Sequence, residues 1–152
     1  MTPVVQTKVV VRNSNGEIVV NGNCYAAAIA SMLDLPITEV PNVEVFFPWS
    51  SENRFWDEWM TKWLELKGYK IEDASEYKVF HEDKDLSFDQ CMEDLDTQKE
   101  RLRGQYYFVS GDSPRGVKHI CIYKDGELIH DPHPTKEGLL NHQWFEKLTK
   151  SL

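Results

Sequence analysis

The first third of the chain changes from a β-type pattern to a helical one. Residues 4–11 are rich in valine and predict a strand, and the turn residues 13–16 predict a hairpin that pairs this strand with residues 17–20. Residues 24–33 are helix formers, and Pro36 ends the run. The pattern therefore predicts a hairpin followed by a helix that begins at Cys24.

In the middle of the chain, helical periodicity is clearest over residues 52–67. Residues 37–40 predict a short helical turn, and residues 52–67 predict a second helix that Gly68 ends. We expect a strand around residues 78–80 and a helix within the polar residues 87–100. The apolar side chains of the second helix recur at helical spacing: Phe55, Trp56, Trp59, Met60, Trp63, Leu64 and Leu66.

The last third returns to a β pattern. A loop at residues 111–116 and a tight turn at Lys124-Asp125-Gly126 separate the predicted strands, and residues 141–150 predict a short amphipathic helix or a tail. The whole pattern predicts one α+β domain over residues 1–152, with a helical first half packed on a mostly antiparallel sheet. The predicted strands of this part are residues 105–110, 117–123 and 127–130.

Composition and charge narrow the classes of function. The 152 residues carry a formal net charge of −8, and no run of Lys and Arg exceeds two residues. Nucleic acid binding needs clustered cations, so we expect no such partner. A signal peptide and a long apolar stretch are both missing, which predicts a cytoplasmic protein with no membrane partner.

Cys24, His119 and Asp131 are the candidate catalytic residues. Cys24 would open the first predicted helix, where unpaired N–H groups stabilise a thiolate. His119 would lie near the start of a strand and act as a general base that later protonates the leaving group. Asp131 follows the next strand across a tight turn, so the hairpin would bring it to His119, where it would fix the tautomer of the ring.

Three segments carry a resemblance to a known family. In their order and predicted secondary structure they resemble the motifs of papain-like cysteine peptidases, in particular compact bacterial and phage members such as the bacteriocin-processing peptidases. The resemblance implies a papain-like fold and a protein or peptide substrate, and we expect no cofactor and no metal. The segments are Gly22-Asn23-Cys24-Tyr25-Ala26-Ala27, Ser113-Pro114-Arg115-Gly116-Val117-Lys118-His119 and Ile129-His130-Asp131-Pro132.

The sequence leaves the side-chain donor of the oxyanion hole open. Papain-like enzymes place a Gln a few residues before the Cys, whereas the nearest upstream Gln in this chain is Gln6. Gln6 could fold back beside Cys24, or Asn21 or Asn23 could donate instead. The resemblance implies that the backbone N–H of Cys24 is the second donor.

Each candidate also has a purely structural interpretation. Cys24 could be a small buried residue, His119 a core histidine and Asp131 a turn former before Pro132. Cys121 lies two residues after His119 on the same strand face, and we interpret it as core packing beneath the cleft.

Further residues near these motifs have alternative roles. Arg115, in the loop before the His119 strand, is the candidate for binding an anionic group of a substrate, against the alternative of an exposed loop arginine. His133 would replace Asp131 if that residue proved misplaced. A zinc site is a minor alternative because no pair of its ligands has the tight spacing of a structural zinc motif. Its ligands would come from Cys24, His119, Cys121, His130 and His133.

The predicted function is a cysteine hydrolase that cleaves a peptide, isopeptide or related amide bond through a thioester acyl-enzyme. Transamidation or deamidation would use the same thioester with a different acceptor. The alternative from another class is a non-catalytic protein-binding module on a papain-like scaffold, for example a phage-type inhibitor. In that case the partner would be a host protein, and a phage-encoded chain would act in the host cytoplasm.

Overall fold

The computed structural model describes residues 1–20, 22–41, 54–74 and 99–151. The first half of the chain contains both helices and short strands, and the described elements of the second half are strands. In chain order they are β1 (Val11–Arg12), β2 (Ile18–Val20), α1 (Cys24–Leu33), a 3-10 helix (Ile37–Glu39), α2 (Arg54–Leu66), β3 (Tyr69–Asp73), β4 (Tyr106–Asp112), β5 (Lys118–Lys124), β6 (Glu127–His130) and β7 (Trp144–Lys150).

One antiparallel sheet organises the second half of the chain. Its strand order is β3-β7-β4-β5-β6, and β1 and β2 form a separate hairpin. Strands β4, β5 and β6 follow one another as a meander, in which Gly111 faces His119 and Ile122 faces His130. The predicted α+β class with a mostly antiparallel sheet is therefore confirmed.

Helix α1 lies in the core. Its alanine-rich sequence favours a helix, and the left-handed conformation of Asp34 at φ 56° ends it. The N–H groups of Asp34 and Leu35 donate to the carbonyls of Ser31 and Ala30. Its first eight residues, Cys24 to Ser31, are all buried, as expected for a helix that is apolar on every side.

The sheet carries a hydrophobic cluster on each face. Side chains alternate between the faces with the period of two that strands impose. Phe108, Ile120 and Ile122 pack with residues of α1 and α2. The neighbouring strand positions pack in a second cluster, which contains Tyr107, Val109, Cys121, Tyr123 and Phe145.

The predicted strand over residues 4–11 is wrong for most of its length, because only Val11 of that segment belongs to a strand, β1. The preceding residues lie between α1 and the loop after β6. The N–H of Val4 donates to Ser31 Oγ, and the N–H of Gln6 donates to the carbonyl of Pro132. Acceptors on the helix and the loop thus take backbone donors that a sheet would otherwise pair.

The predicted helix or tail over residues 141–150 is also wrong. Trp144–Lys150 is strand β7, which pairs with β3 on one side and β4 on the other. Backbone pairing on both edges outweighs the helical propensity of Glu146, Lys147 and Leu148. Strand β3, which the sequence did not predict, is the outer partner of β7.

The remaining predictions divide into confirmed and undescribed ones. Helix α2, the 3-10 helix and the three strands β4, β5 and β6 are confirmed within a few residues of their predicted ends. The predicted strand at 78–80 and most of the predicted helix at 87–100 lie outside the described residues. Neither α1 nor α2 combines the length and the hydropathy that a membrane crossing requires.

Candidate active site

Cys24 is the first residue of α1, as predicted. No side chain caps this end of the helix, and no acidic residue lies in its first turn. The first-turn N–H groups and the partial positive charge of the helix end therefore favour an anion at this position. A thiolate at Cys24, or an oxyanion bound next to it, would be such an anion.

Asn23 holds the N-terminal segment against the start of α1. Its Oδ1 accepts the N–H groups of Thr7 and Lys8 at 3.0 and 2.9 Å, and its Nδ2 donates to Thr7 Oγ1 at 2.8 Å. The amide oxygen thus holds backbone, and the amide nitrogen holds the Thr7 hydroxyl. The segment that carries Gln6 is fixed by these contacts beside Cys24.

His119 and Asp131 form a buried hydrogen-bonded pair at one end of the β5–β6 hairpin. His119 Nε2 lies 2.6 Å from Asp131 Oδ1, and both residues are almost fully buried. A carboxylate only accepts hydrogen bonds, so Nε2 carries the proton and Nδ1 is the nitrogen left for another partner. The hairpin thus brings the two predicted residues together and fixes the ring.

The loop after β6 holds the Asp131 carboxylate in place. Oδ1 also accepts the N–H of His133, and Oδ2 accepts the N–H of Gly138, both at 2.8 Å. Lys136 Nζ donates to the backbone carbonyl of Asp131 at 2.6 Å. With both oxygens hydrogen-bonded, the carboxylate has one orientation in which it meets the imidazole.

The pair favours its charged form. Burial by itself would lower the pKa of His119, but the hydrogen bond to Asp131 and the interactions with the sulfurs of Cys121 and Cys24 raise this pKa to about 11. Burial would raise the pKa of Asp131, but His119 and the two backbone donors hold it well below its ordinary value. An imidazolium is therefore the stable form next to the cysteine sulfurs.

The two cysteines that interact with His119 differ in access. Cys24 lines a cavity of about 260 Å³ together with His119. Cys121 is completely buried in the second hydrophobic cluster, and burial raises the pKa of its thiol. Cys24 is thus the sulfur that a bound molecule can reach, and Cys121 packs beneath the ring.

Gln6 lies in the same cavity as Cys24. Its side chain is buried, Nε2 donates to the carbonyl of Lys8 at 2.7 Å, and Oε1 has no hydrogen-bonding partner among the described residues. A Cβ on Gly22 would come within 3.2 Å of Gln6 Nε2, so glycine allows the amide to pack this closely. The amide has a second N–H, which is the donor that an oxyanion would need.

The other two oxyanion candidates have different outcomes. Asn21 lies outside the described residues. Asn23 is not in the cavity that Cys24 and His119 line; it lies beside a second cavity of about 220 Å³. Because Asn23 is not among the residues that line the cavity of Cys24 and His119, and its Oδ1 accepts the N–H groups of Thr7 and Lys8, the predicted oxyanion role of Asn23 is replaced by a role in holding the N-terminal segment.

Arg115 and His133 also line the cavity that contains His119. The Arg115 guanidinium contacts Thr135 Oγ1 at 3.1 Å and Glu137 at 3.4 Å. The His133 ring meets the His119 ring edge-on at a centroid distance of 6.0 Å. Burial, with the positive charges of Arg115 and His119, lowers the pKa of His133, so its ring is neutral beside the pair.

Sequence analysis missed Arg12, which also lines the cavity. Its Nη2 reaches the carbonyl of Gly116 at 3.4 Å, although the two residues are far apart in the chain. A hairpin arginine of this kind has no local signal, because only the tertiary fold brings β1 next to the loop before β5. For His133, which also lines the cavity, the sequence did offer a signal, because this residue lies in a Pro-His-Pro segment.

His119, Cys121 and Asp131 are the described side chains that could hold a metal ion together, since their donor atoms lie within 4.8 Å of one another. The Asp131 carboxylate in this cluster already accepts three hydrogen bonds, from His119, His133 and Gly138. The donor set therefore fits a hydrogen-bonded proton relay better than a metal centre.

No protein-family model, no curated protein and no solved structure matches this chain. A functional assignment therefore depends on the fold and on the geometry of the cavity.

Proposed function

We propose that this chain is a papain-like cysteine hydrolase that cleaves a peptide, isopeptide or related amide bond. One observation carries the proposal: the His119 ring, fixed by buried Asp131 at 2.6 Å, lines the same cavity as Cys24. A nucleophile, a base and a residue that orients the base are the three parts such chemistry needs. The papain-like fold is proposed because a helix with Cys at its start packs on an antiparallel sheet.

The proposed reaction has two steps. The Cys24 thiolate attacks the carbonyl carbon, and the resulting oxyanion accepts hydrogen bonds from the Cys24 N–H and from Gln6 Nε2. His119 donates its Nδ1 proton to the leaving amine as the C–N bond breaks, which leaves a thioester on Cys24. His119 then takes a proton from water, whose oxygen displaces the thiolate and releases the acid.

The acceptor in the second step decides the net reaction. Water gives hydrolysis, an amine gives transamidation, and an amide-bearing side chain as first substrate gives deamidation. All three share the Cys24 thioester and the protonation of the leaving nitrogen by His119. Hydrolysis is the proposal because it needs no second binding site.

The proposed setting is the cytoplasm, and the proposed partner is a protein or peptide substrate. Cys24 and Cys121 are free thiols, and a thiol nucleophile persists in a reducing compartment. If the chain is phage-encoded, the substrate would be a host protein.

Alkylation by iodoacetamide at pH 7 tests the nucleophile. We expect Cys24 to react at least about tenfold faster than N-acetylcysteine, because the adjacent imidazolium stabilises its thiolate. His119→Ala should remove most of this advantage. Rates are measured by intact mass, and peptide mapping assigns them to Cys24 or to Cys91, the third cysteine of the sequence.

His142→Ala is the matched control, because His142 is a partly buried histidine that contacts Tyr123 away from the cavity. It should leave the Cys24 rate unchanged. The proposal fails if Cys24 reacts no faster than Cys91, or if His119→Ala has no effect on its rate. The binding-module alternative would then explain the fold, and a Cys24→Ala chain would keep its biological effect.

A further inference from the structure

Besides the His119 imidazolium, which is paired with Asp131, three cationic side chains line the cavity of the proposed active site: Arg12, Arg115 and Lys118. No acidic residue is among the described residues that line it. The chain as a whole carries a formal net charge of −8, so this concentration of positive charge runs against the overall balance. A cavity of this kind attracts anions.

The charge of Lys118 is already balanced within the protein. Its Nζ forms an ion pair with Asp112 at 2.6 Å and a hydrogen bond with Gln143 Oε1 at 2.9 Å. Lys118 therefore has a structural role at the start of β5. The free positive charge of the cavity comes from the two arginines.

Arg115 and Arg12 are only weakly neutralised. The ion pair of Arg115 with Glu137 is long, at 3.4 Å, and Glu137 is exposed. Arg12 forms no ion pair with a described residue; its guanidinium contacts two carbonyls, Gly16 O at 2.7 Å and Gly116 O at 3.4 Å. Exposed pairs of this length contribute little, so both guanidinium groups can accept a better anionic partner.

The two arginines come from different walls of the cavity. Arg12 belongs to the β1–β2 hairpin, and Arg115 belongs to the loop before β5. The contact from Arg12 to the carbonyl of Gly116 shows that the walls meet next to Arg115. A planar guanidinium donates two parallel hydrogen bonds to a carboxylate, and two such groups can bind one from both sides.

We propose that the cavity selects substrates that carry a carboxylate next to the scissile carbonyl, which Arg12 and Arg115 bind. This inference rests on the proposed function, because the carboxylate matters only if Cys24 attacks a neighbouring carbonyl. The carboxylate comes either from an acidic side chain or from the end of a peptide chain.

A pair of alkylating reagents tests the charge preference without a known substrate. Iodoacetate and iodoacetamide both place a CH₂ group on Cys24 and release iodide, but only iodoacetate is an anion. The measured quantity is the rate of iodoacetate divided by the rate of iodoacetamide at Cys24. This ratio is then divided by the same ratio for N-acetylcysteine. The His119 imidazolium attracts iodoacetate in every variant, so a comparison among variants isolates the arginines.

We expect Arg12→Gln and Arg115→Gln each to lower this ratio about three- to fivefold at low ionic strength. Arg115→Lys should keep most of it, because the charge remains. Lys150→Gln is the matched control: it removes one positive charge at an exposed position outside the cavity-lining set and should leave the ratio unchanged. In 1 M NaCl the ratio for wild type should fall, because salt screens the arginines as well as the His119 imidazolium, and it should fall less in the Arg→Gln variants.

Two results would overturn different statements. If iodoacetamide reacts rapidly with Cys24 but the ratio does not differ between wild type and the Arg→Gln variants, the carboxylate inference is wrong and the proposed function stands. If iodoacetamide reacts with Cys24 no faster than with N-acetylcysteine, the proposed function is wrong.

Two pairs of blocked peptides then distinguish the sources of the carboxylate. One pair differs only by Glu or Gln before the cleaved bond, and the other only by a free or an amidated C-terminus. If the Glu peptide is cleaved faster than the Gln peptide and Arg115→Gln removes the difference, the carboxylate comes from an acidic side chain. If the peptide with the free C-terminus is cleaved faster and Arg115→Gln removes the difference, the carboxylate comes from the end of a peptide chain. Cleavage without a preference in either pair would contradict the inference.

Discussion

The two sides of the candidate active site are built by different kinds of contact. On one side, His119 and Asp131 are 12 residues apart in the chain, lie on one hairpin and share a hydrogen bond of 2.6 Å. On the other side, Cys24 and Gln6 are brought together by Asn23, whose amide holds Thr7 and Lys8 from 16 and 15 residues away.

The two sides therefore have different roles in the candidate active site. The His119–Asp131 side is a local unit that sets the protonation of the imidazole. The Cys24 side depends on a segment without regular secondary structure, which places Gln6 through contacts with α1 and with the loop after β6. Changes on the first side should alter the charge and the tautomer of the imidazole, whereas changes on the second should remove the proposed oxyanion donor or loosen the segment that places it.

The largest effect is expected for Asp131→Asn, which keeps the shape of the side chain and removes its charge. We expect kcat to fall by about 10²- to 10⁴-fold, because the imidazolium loses its stabilising partner and the ring loses its fixed tautomer. The free energy of unfolding at pH 6 should fall by about 2–3 kcal/mol. Steady-state kinetics on a cleaved peptide and urea denaturation measure the two effects.

The same variant gives a pH test with a defined sign. The raised pKa of His119 contributes stability that is fully present below its ordinary value of 6.5 and is lost as the pH rises through about 11. The lowered pKa of Asp131 contributes stability that is present above its ordinary value of 3.8 and is lost as the pH falls below it. The stability difference between wild type and Asp131→Asn should therefore be largest between pH 3.8 and 6.5. A difference that does not change with pH would show that the pair is not ionic.

The next effect in size is expected for Gln6→Leu, which removes the proposed oxyanion donor. We expect kcat to fall by about 10²- to 10³-fold while KM changes little. Stability should fall by about 1 kcal/mol, because the bond from Nε2 to the Lys8 carbonyl is lost, while that carbonyl keeps the N–H of Asn23 and Oε1 has no described partner to lose. Gln105→Leu, at an exposed position before β4, is the matched control and should leave kcat unchanged. A large loss of stability with unchanged kcat would make Gln6 a structural residue.

The smallest effect on kcat is expected for Asn23→Ala, with a larger one on stability. The change removes the acceptor of two backbone N–H groups, so the free energy of unfolding should fall by about 1–3 kcal/mol, with kcat reduced only a few-fold. Asn13→Ala is the matched control: Asn13 Oδ1 also accepts two backbone N–H groups, but in an exposed turn, and its loss should cost less. Equal losses in urea denaturation would contradict the special role of Asn23.

Local patterns predicted the elements that carry the candidate catalytic residues. The alanine-rich run after Gly22 predicted a helix that begins at Cys24, and the turn at Asp125-Gly126 predicted the hairpin that brings Asp131 to His119. Both features depend on residues that are close together in the chain, so the local sequence is enough to predict them.

The failed predictions concern segments whose structure depends on distant partners. The valine-rich N-terminal segment has the pattern of a strand, yet its donors find acceptors on Ser31 and Pro132. The segment of β7 has the composition of a helix, yet its place between β3 and β4 makes it a strand. In both cases the partner lies outside any local window, and the pairing of backbone groups with it decides the conformation.

The sequence by itself determined that Cys24 opens a helix, that His119 and Asp131 share a hairpin, and that the class is α+β. Those properties follow from side-chain periodicity and turn chemistry, which act over a few residues. Only the tertiary structure decided that Gln6 lies beside Cys24, that Asn23 positions backbone, and that Arg12 and Arg115 line one cavity. These placements follow from hydrogen bonding and packing between segments that the chain separates, because each buried polar group takes the partner that the whole fold supplies.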